Sequence, residues 1–399
     1  MSGPRYTPAW IVFIFILACV SASAQPGFIR TYAPPPGTII TGADASPDGG
    51  MVYCGAFGDR GFLMHLDASG NTVWARTYSA VGTFDSGTFG ANWQISFQGV
   101  AALGNGTFIV VGSGRDTAGV IGTQQLTLLC DALGNPVWSS SQGSFHSDSF
   151  SMADVESPSA ILIAGMTGGL GGSRAYVTRC DPLTGEFGDG RLLRPFSAWS
   201  TYAEALALDH CDDGGVALSG GFIGTSEGSC ISKMDSALNP IWEHGWSNFI
   251  AVTLAGLADG SLVAAGDSVV ARFLPSGLVD WSLQLIAGHG GIRAMQVRPD
   301  GHILLAGWSE PADPYSWLIL LDPSGSEVWS RRYGNSGDQF KITGLDQLAS
   351  GGLRLTGSAG SDVLLVATDD MGLAGSCTYA SLVHTLAPMA LVALPDPIS

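Results

Sequence analysis

The chain has 399 residues, with 17 lysines and arginines against 34 aspartates and glutamates, a net charge of −17. Only Lys233 and Lys341 are lysines, so the clustered cations that nucleic acid or an anionic lipid surface requires are not there. Because 46% of the residues are hydrophobic, the 56 glycines read as turn punctuation in a folded chain, not as disorder.

Residues 1–24 read as a secretory signal: one charge at Arg5, an apolar core over 9–20, then Ala22-Ser23-Ala24 as a cleavage site before Gln25. The core is too short for a stop-transfer helix. Ile16-Leu17-Ala18-Cys19 is a partial lipobox with an unusual Leu in its second place, so cleavage after Ala24 is favoured over lipidation at Cys19. The mature protein is expected outside the cell or in a periplasm. No later segment is expected to span a membrane.

Phe28-Ile29-Arg30-Thr31-Tyr32 matches Trp74-Ala75-Arg76-Thr77-Tyr78 and Trp329-Ser330-Arg331-Arg332-Tyr333, and it precedes the first full copy of a repeat. Each copy opens on two glycines six residues apart around an apolar run: Gly49/Gly55, Gly106/Gly112, Gly214/Gly220, Gly260/Gly266, Gly301/Gly307 and Gly351/Gly357. Ser159/Gly165 is a seventh, with Ser in the first place. A second apolar run then ends in Asp-x-x-Gly, as at Asp67/Gly70, Asp131/Gly134, Asp322/Gly325 and Asp369/Gly372. Leu274/Gly277 has lost the Asp, and Asp181/Gly185 and Asp235/Asn239 read as one residue longer. Trp74, Trp138, Trp242, Trp281 and Trp329 follow seven residues after the Asp position, and copies three and seven lack that Trp.

A repeat of this length holding several strands is the signature of a propeller blade. Asp-Gly and Asp-x-x-Gly supply tight hairpin turns. Uninterrupted apolar runs fit strands buried on both faces, and the second Gly suits a crowded position or a bulge. A β-sandwich needs no fixed repeat, and a parallel β-helix needs a shorter one. The expected fold is all-β: a seven-bladed β-propeller of four-stranded antiparallel blades over residues 25–377. Residues 28–32 are expected beside the strand at 363–368, closing the last blade and removing a free edge. Residues 378–399 form a tail outside the repeat.

Two connection classes are short throughout, and two vary in length. The variable ones join outer strand to next inner strand, as at 79–94, and the two middle strands, as at 113–124. In an up-and-down blade these long loops share one face, where binding usually sits. Of the six cysteines after residue 24, Cys54, Cys130 and Cys180 read as small core residues, and no Cys/His spacing suggests zinc.

The strings LMHLDASGNTVWARTY and LILLDPSGSEVWSRRY resemble the repeats of bacterial secreted and cell-surface propeller proteins. They also resemble the Trp-docking repeats of quinoprotein-like propellers. The resemblance covers nearly all of residues 28–377 and implies the fold. Quinoprotein dehydrogenases have eight blades, a calcium site and a quinone against a vicinal disulfide. This chain departs from them, with seven copies and no adjacent cysteines.

Asp209, Asp212 and Asp213 do not keep the spacing of a calcium loop and read as an Asp-rich hairpin turn. His65 and His302 read as structural. His146 and His289 fall in long-face loops, where a His with an acidic partner, such as His146 with Asp148, would suit hydrolysis; no nucleophile elbow supports an acyl-transfer site. The expected binding residues on the long-loop face are Trp93, Arg115, His146, Trp199, Tyr202, Trp308 and Tyr315, because aromatics on an acidic face suit sugar stacking or peptide docking. The Trp74 series is expected in blade-to-blade packing. The reading is a secreted, monomeric, non-enzymatic binding or scaffold module for a protein, peptide or glycan, without cofactor, metal or nucleic acid. The alternative is a secreted hydrolase, lyase or oxidoreductase with its site at the mouth of the central channel.

Overall fold

The first six copies of the repeat each fold into four antiparallel strands and the seventh into three, completed from the N-terminal end, and the seven sheets stand in a ring. The computed structural model describes residues 27–79, 82–84, 87–89, 93–116, 122–142, 148–168, 173–193, 202–223, 228–286, 291–309, 315–334, 338–348, 350–374 and 385–391. Innermost to outermost, blade 1 is Thr38–Ala45, Met51–Phe57, Arg60–Leu66 and Thr72–Tyr78. Blade 2 is Trp93–Ala102, Phe108–Asp116, Thr123–Cys130 and Pro136–Gln142. Blade 3 is Ser149–Ser157, Ala160–Thr167, Arg174–Cys180 and Phe187–Leu192. Blade 4 is Tyr202–His210, Val216–Ile223, Gly228–Met234 and Pro240–Trp246. Blade 5 is Thr253–Gly256, Leu262–Gly266, Val269–Phe273 and Val279–Ile286. Blade 6 is Ile292–Val297, Ile303–Trp308, Ser316–Leu321 and Glu327–Tyr333. Blade 7 takes Phe340–Gln347, Leu353–Ala359 and Asp362–Thr368 from the end of the repeat and Phe28–Tyr32 from its start.

The closing strand pairs as the sequence predicts, from Phe28 opposite Ala367 to Tyr32 opposite Val363. The middle strands are the buried ones, as at Met51–Cys54 and Trp317–Ile319, because their two faces meet both neighbouring blades. In six of the seven copies the second glycine answers to a bulge in the inner strand. In blade 1 the register of the inner strand shifts between Ile40 and Gly42, and a Cβ on Gly55 would fall 1.9 Å from the Ile39 carbonyl oxygen.

Three members of the Trp series latch a blade to the next by a hydrogen bond. Trp74 Nε1 donates to the Ala132 carbonyl at 3.0 Å, Trp138 to Pro182 at 2.9 Å and Trp281 to Pro323 at 3.3 Å, each across a blade boundary. The hydroxyls of Tyr32, Tyr78 and Tyr333 donate to the carbonyls of Gly70, Gly134 and Gly372 in the same turns. Those glycines meet two demands: positive φ, and an aromatic ring so close that a Cβ would sit 3.0 Å from Trp74 at Gly134 or 2.8 Å from Phe28 at Gly70. The turn at Asp235 corrects the sequence reading. It is not longer, since Leu238 N donates to Asp235 O as Gly70 N does to Asp67 O, and Leu238 takes the glycine's place at φ 61°.

Outside the repeat, Gly82–Phe84 and Gly87–Phe89 form a small hairpin between blades 1 and 2. Thr385–Pro388, from the tail, adds a fifth strand along Val279–Ile286 of blade 5. Met389 N then donates to Ser282 O at 3.1 Å, and Met389 and Leu391 pack on the core between blades 4 and 5. Cys54, Cys130, Cys180, Cys211 and Cys230 are free and buried. Burial pushes the thiols of Cys54, Cys130, Cys180 and Cys211 up to about 12, which leaves them inert at neutral pH.

Candidate functional site

The two faces of the ring differ as the connection lengths require. On one, inner strands join second strands, and third join fourth, by tight turns such as 46–50 and 67–71. Asp67 shows how these turns hold: its Oδ1 accepts from the amides of Ser69 and Asn71 at 2.9 and 2.8 Å. His65 belongs to this scaffold, its Nε2 lying 3.2 Å from Ser46 Oγ and its ring 5.3 Å from that of Phe108. The other face collects the strand ends that open into longer connections.

On that face Trp93 and Arg115 lie on adjacent strands of blade 2, with Trp93 buried and Arg115 exposed. Trp308 and Tyr315 lie together at the rim of blade 6, where Tyr315 N donates to Ser309 Oγ at 2.9 Å. Tyr202 begins the inner strand of blade 4. His146, Trp199 and the Tyr202 side chain lie outside the described residues. The structure therefore gathers these positions into separate pairs, with blades 1 and 7 between the pair on blade 2 and the pair on blade 6.

The rim of blade 6 also carries residues that the repeat pattern did not single out. Lys341 Nζ, from the inner strand of blade 7, lies 4.7 Å from the Trp308 ring centroid, and the Arg293 guanidinium lies 6.0 Å from it. The Arg332 guanidinium lies 4.0 Å from the Tyr315 ring. Each distance is within the range where a cation is attracted to an aromatic face. Between blades 7 and 1 is a cavity of about 710 Å³ lined by the segment 33–43, by Tyr53, by Thr343 and Gly344, and by residues 356–363 save Ala359. A smaller one of about 320 Å³ lies between blades 2 and 3 beside Asp148, Ser149 and Ser151. Asp148 there accepts from Thr167 Oγ1 at 2.7 Å and from Gly168 N at 2.9 Å, so its carboxylate is engaged in holding the rim of blade 3.

Four carboxylates approach the channel from different blades, at its short-turn end. Asp44, Asp154, Asp209 and Asp346 hold one register, opposite Val52, Leu162, Ala217 and Arg354. Three of them reach the free edge of the next inner strand. Asp44 Oδ2 accepts from Ala102 N, Asp154 Oδ2 from His210 N and Asp209 Oδ2 from Gly256 N, at 2.7, 2.6 and 2.7 Å. Burial raises all four above the ordinary carboxylate range, Asp44 to about 6 and Asp209 to about 7; like charge adds to it, from Asp154 at Asp44 and Asp209, from Asp44 at Asp346 and from Glu156 at Asp154. This geometry is an inter-blade staple. Asp209 is thus part of an inner strand and not of the Asp-rich turn. Asp213, in that turn, accepts from the buried Lys233 ammonium at 2.8 Å.

Among the described residues no group of three or more His, Cys, Asp or Glu is arranged to hold a metal ion, and no helix is long and apolar enough to cross a membrane. The fold and its faces define a seven-bladed β-propeller, an architecture that commonly serves as a binding or scaffold module. Compared with models of known protein families and with curated proteins, the chain matches none.

Proposed function

We propose that the protein is exported and acts as a non-enzymatic module that binds a protein, peptide or glycan on its long-loop face. The observation that carries the reading is the group of half-buried aromatic and cationic side chains at the rim of blade 6, with Lys341 of blade 7 exposed beside them, on the face where the longer connections open. The opposite face is built of tight turns whose polar groups are spent on their own backbone. Rigid blades would present that rim without ordering cost at the moment of binding.

Glycan and peptide arrays probed with the full chain test the reading. Trp308→Ala and Arg115→Ala should weaken capture, while Asp48→Ala and Asp300→Ala should lower the melting temperature and leave capture intact. Binding that survived every long-loop substitution and vanished on altering the short turns would overturn it.

A further inference from the structure

We infer that the rim where blades 6 and 7 meet binds an acidic saccharide, its carboxylate taken by Arg293 and Lys341. The inference rests on the ligand-binding reading of the long-loop face and narrows it to one place and one ligand class.

In a chain with 17 basic residues against 34 acidic ones, basic side chains have many carboxylates to choose from. Several take one: Arg179 pairs with Glu156 at 2.6 Å, Lys233 with Asp213 at 2.8 Å and Arg272 with Asp259 at 2.9 Å. Arg293 and Lys341 do not. Both sit over the Trp308 indole, and among the described residues neither has a carboxylate within ion-pair distance. Arg293 is the second residue of one inner strand and Lys341 the second residue of the next, so two rigid blades bring them to one ring. Two like charges held against one indole repel, and an anion bound beside that ring offsets both and accepts charge-assisted hydrogen bonds. Lys341 is exposed, so a ligand can reach it.

The neighbouring surface selects the rest of the ligand. Thr343, two residues beyond Lys341, lines the cavity of about 710 Å³ together with Thr356, Ser358 and Ser361. Hydroxyls and backbone groups in a cleft of that size match a ligand rich in hydroxyls. A sugar acid offers both features, a carboxylate for the cation pair and hydroxyls for the cavity. The net charge of −17 works against long polyanions and leaves a short, singly anchored oligosaccharide as the fitting occupant.

The test is calorimetric titration of the full chain with trigalacturonate, with its methyl ester and with triglutamate, at about 20 mM salt so that surface charge is little screened. Trigalacturonate should bind, and the ester at least about tenfold more weakly, the scale of one lost charge-assisted contact. Lys341→Ala and Arg293→Ala should each weaken trigalacturonate by about the same factor, and Lys341→Arg should retain most of the affinity. Melting curves accompany each variant, and Lys341→Gln serves where the alanine change lowers stability. Equal binding of acid and ester overturns the inference, as does wild-type affinity in folded Lys341→Ala and Arg293→Ala. Tighter binding of triglutamate than of trigalacturonate would make the occupant an acidic peptide and also overturn it. Array ligands captured on the long-loop face with no response to trigalacturonate would sink this site alone. No capture on that face would sink the broader reading too.

Discussion

Leu238 holds a left-handed conformation at the place where six sister turns carry glycine, and its reason lies one blade away. The outer strand of blade 3 has no Trp to stack on that turn, so space for a side chain is left, and Leu238 fills it as a buried member of the core between blades 3 and 4. Leu238→Gly would relieve backbone strain of about 1–2 kcal/mol but empty a site whose loss costs about 2–5 kcal/mol. The expected result is a net destabilisation of about 1–3 kcal/mol in urea unfolding; a stabilised variant would show that the turn gains nothing from the leucine. The converse substitution is Trp329→Ala. That indole is buried and lies over Gly372, and its removal should cost about 3–5 kcal/mol. A loss below about 1 kcal/mol would place Trp329 outside the packed interface. The Trp register was legible in sequence because it recurs. The Leu238 exchange was not, because it pairs two departures from the repeat in neighbouring copies, and the missing glycine at 238 looks like a longer turn.

Strands, more than single residues, hold the ring shut. Phe28–Tyr32 supplies a latch of the same kind as the other outer strands: Arg30 Nη1 donates to Gly70 O at 3.0 Å and to Asn71 Oδ1 at 3.1 Å, across to blade 1. Deleting residues 25–33 should therefore cost one sheet edge and one blade interface at once, lowering the melting temperature and broadening the transition. A deletion variant melting cooperatively at the parent temperature would refute closure by this strand. The blade elements were readable because glycine spacing, apolar runs and turn chemistry agree in every copy. The sequence reading misses the carboxylate staple and assigns Asp209 to a turn, although a signal is present: Asp44, Asp154, Asp209 and Asp346 each stand five residues before the first glycine or serine of their copy. The cation pair was not legible, because Arg293 and Lys341 stand at different distances from the first glycine of their copies, and only blade packing brings them to one ring. The tail strand Thr385–Pro388 was equally hidden, being too short to signal itself without the edge of blade 5 that it covers.

The whole ring carries two opposed sets of carboxylates, and they fix how its stability responds to pH. Turn aspartates such as Asp67, Asp131, Asp235 and Asp322 are held below the ordinary range by hydrogen bonds from their own turns. Asp213 is lowered as well, by Lys233 and the Gly215 amide against the effect of burial. Their contribution is present above the unfolded carboxylate value near 3.9 and is lost as pH falls through it. The channel set is the reverse. Asp44, near 6, Asp209, near 7, and the raised Asp154 and Asp346 bind protons more tightly in the folded ring than in the unfolded chain. Their contribution is complete below about 3.9 and is lost as pH rises through about 6 to 7, when half-buried carboxylates must ionise. Stability should thus peak in mildly acid solution, at about pH 4–6, and the melting temperature should fall from pH 5 to pH 8. Asp209→Asn keeps an oxygen to accept from Gly256 N and removes the titration, so the alkaline side of the profile should flatten in that variant. Parallel scanning-fluorimetry profiles of the two proteins decide the matter: identical slopes between pH 5 and 8 would mean that Asp209 stays ionised throughout, and that the channel ring is no more than a set of ordinary surface carboxylates.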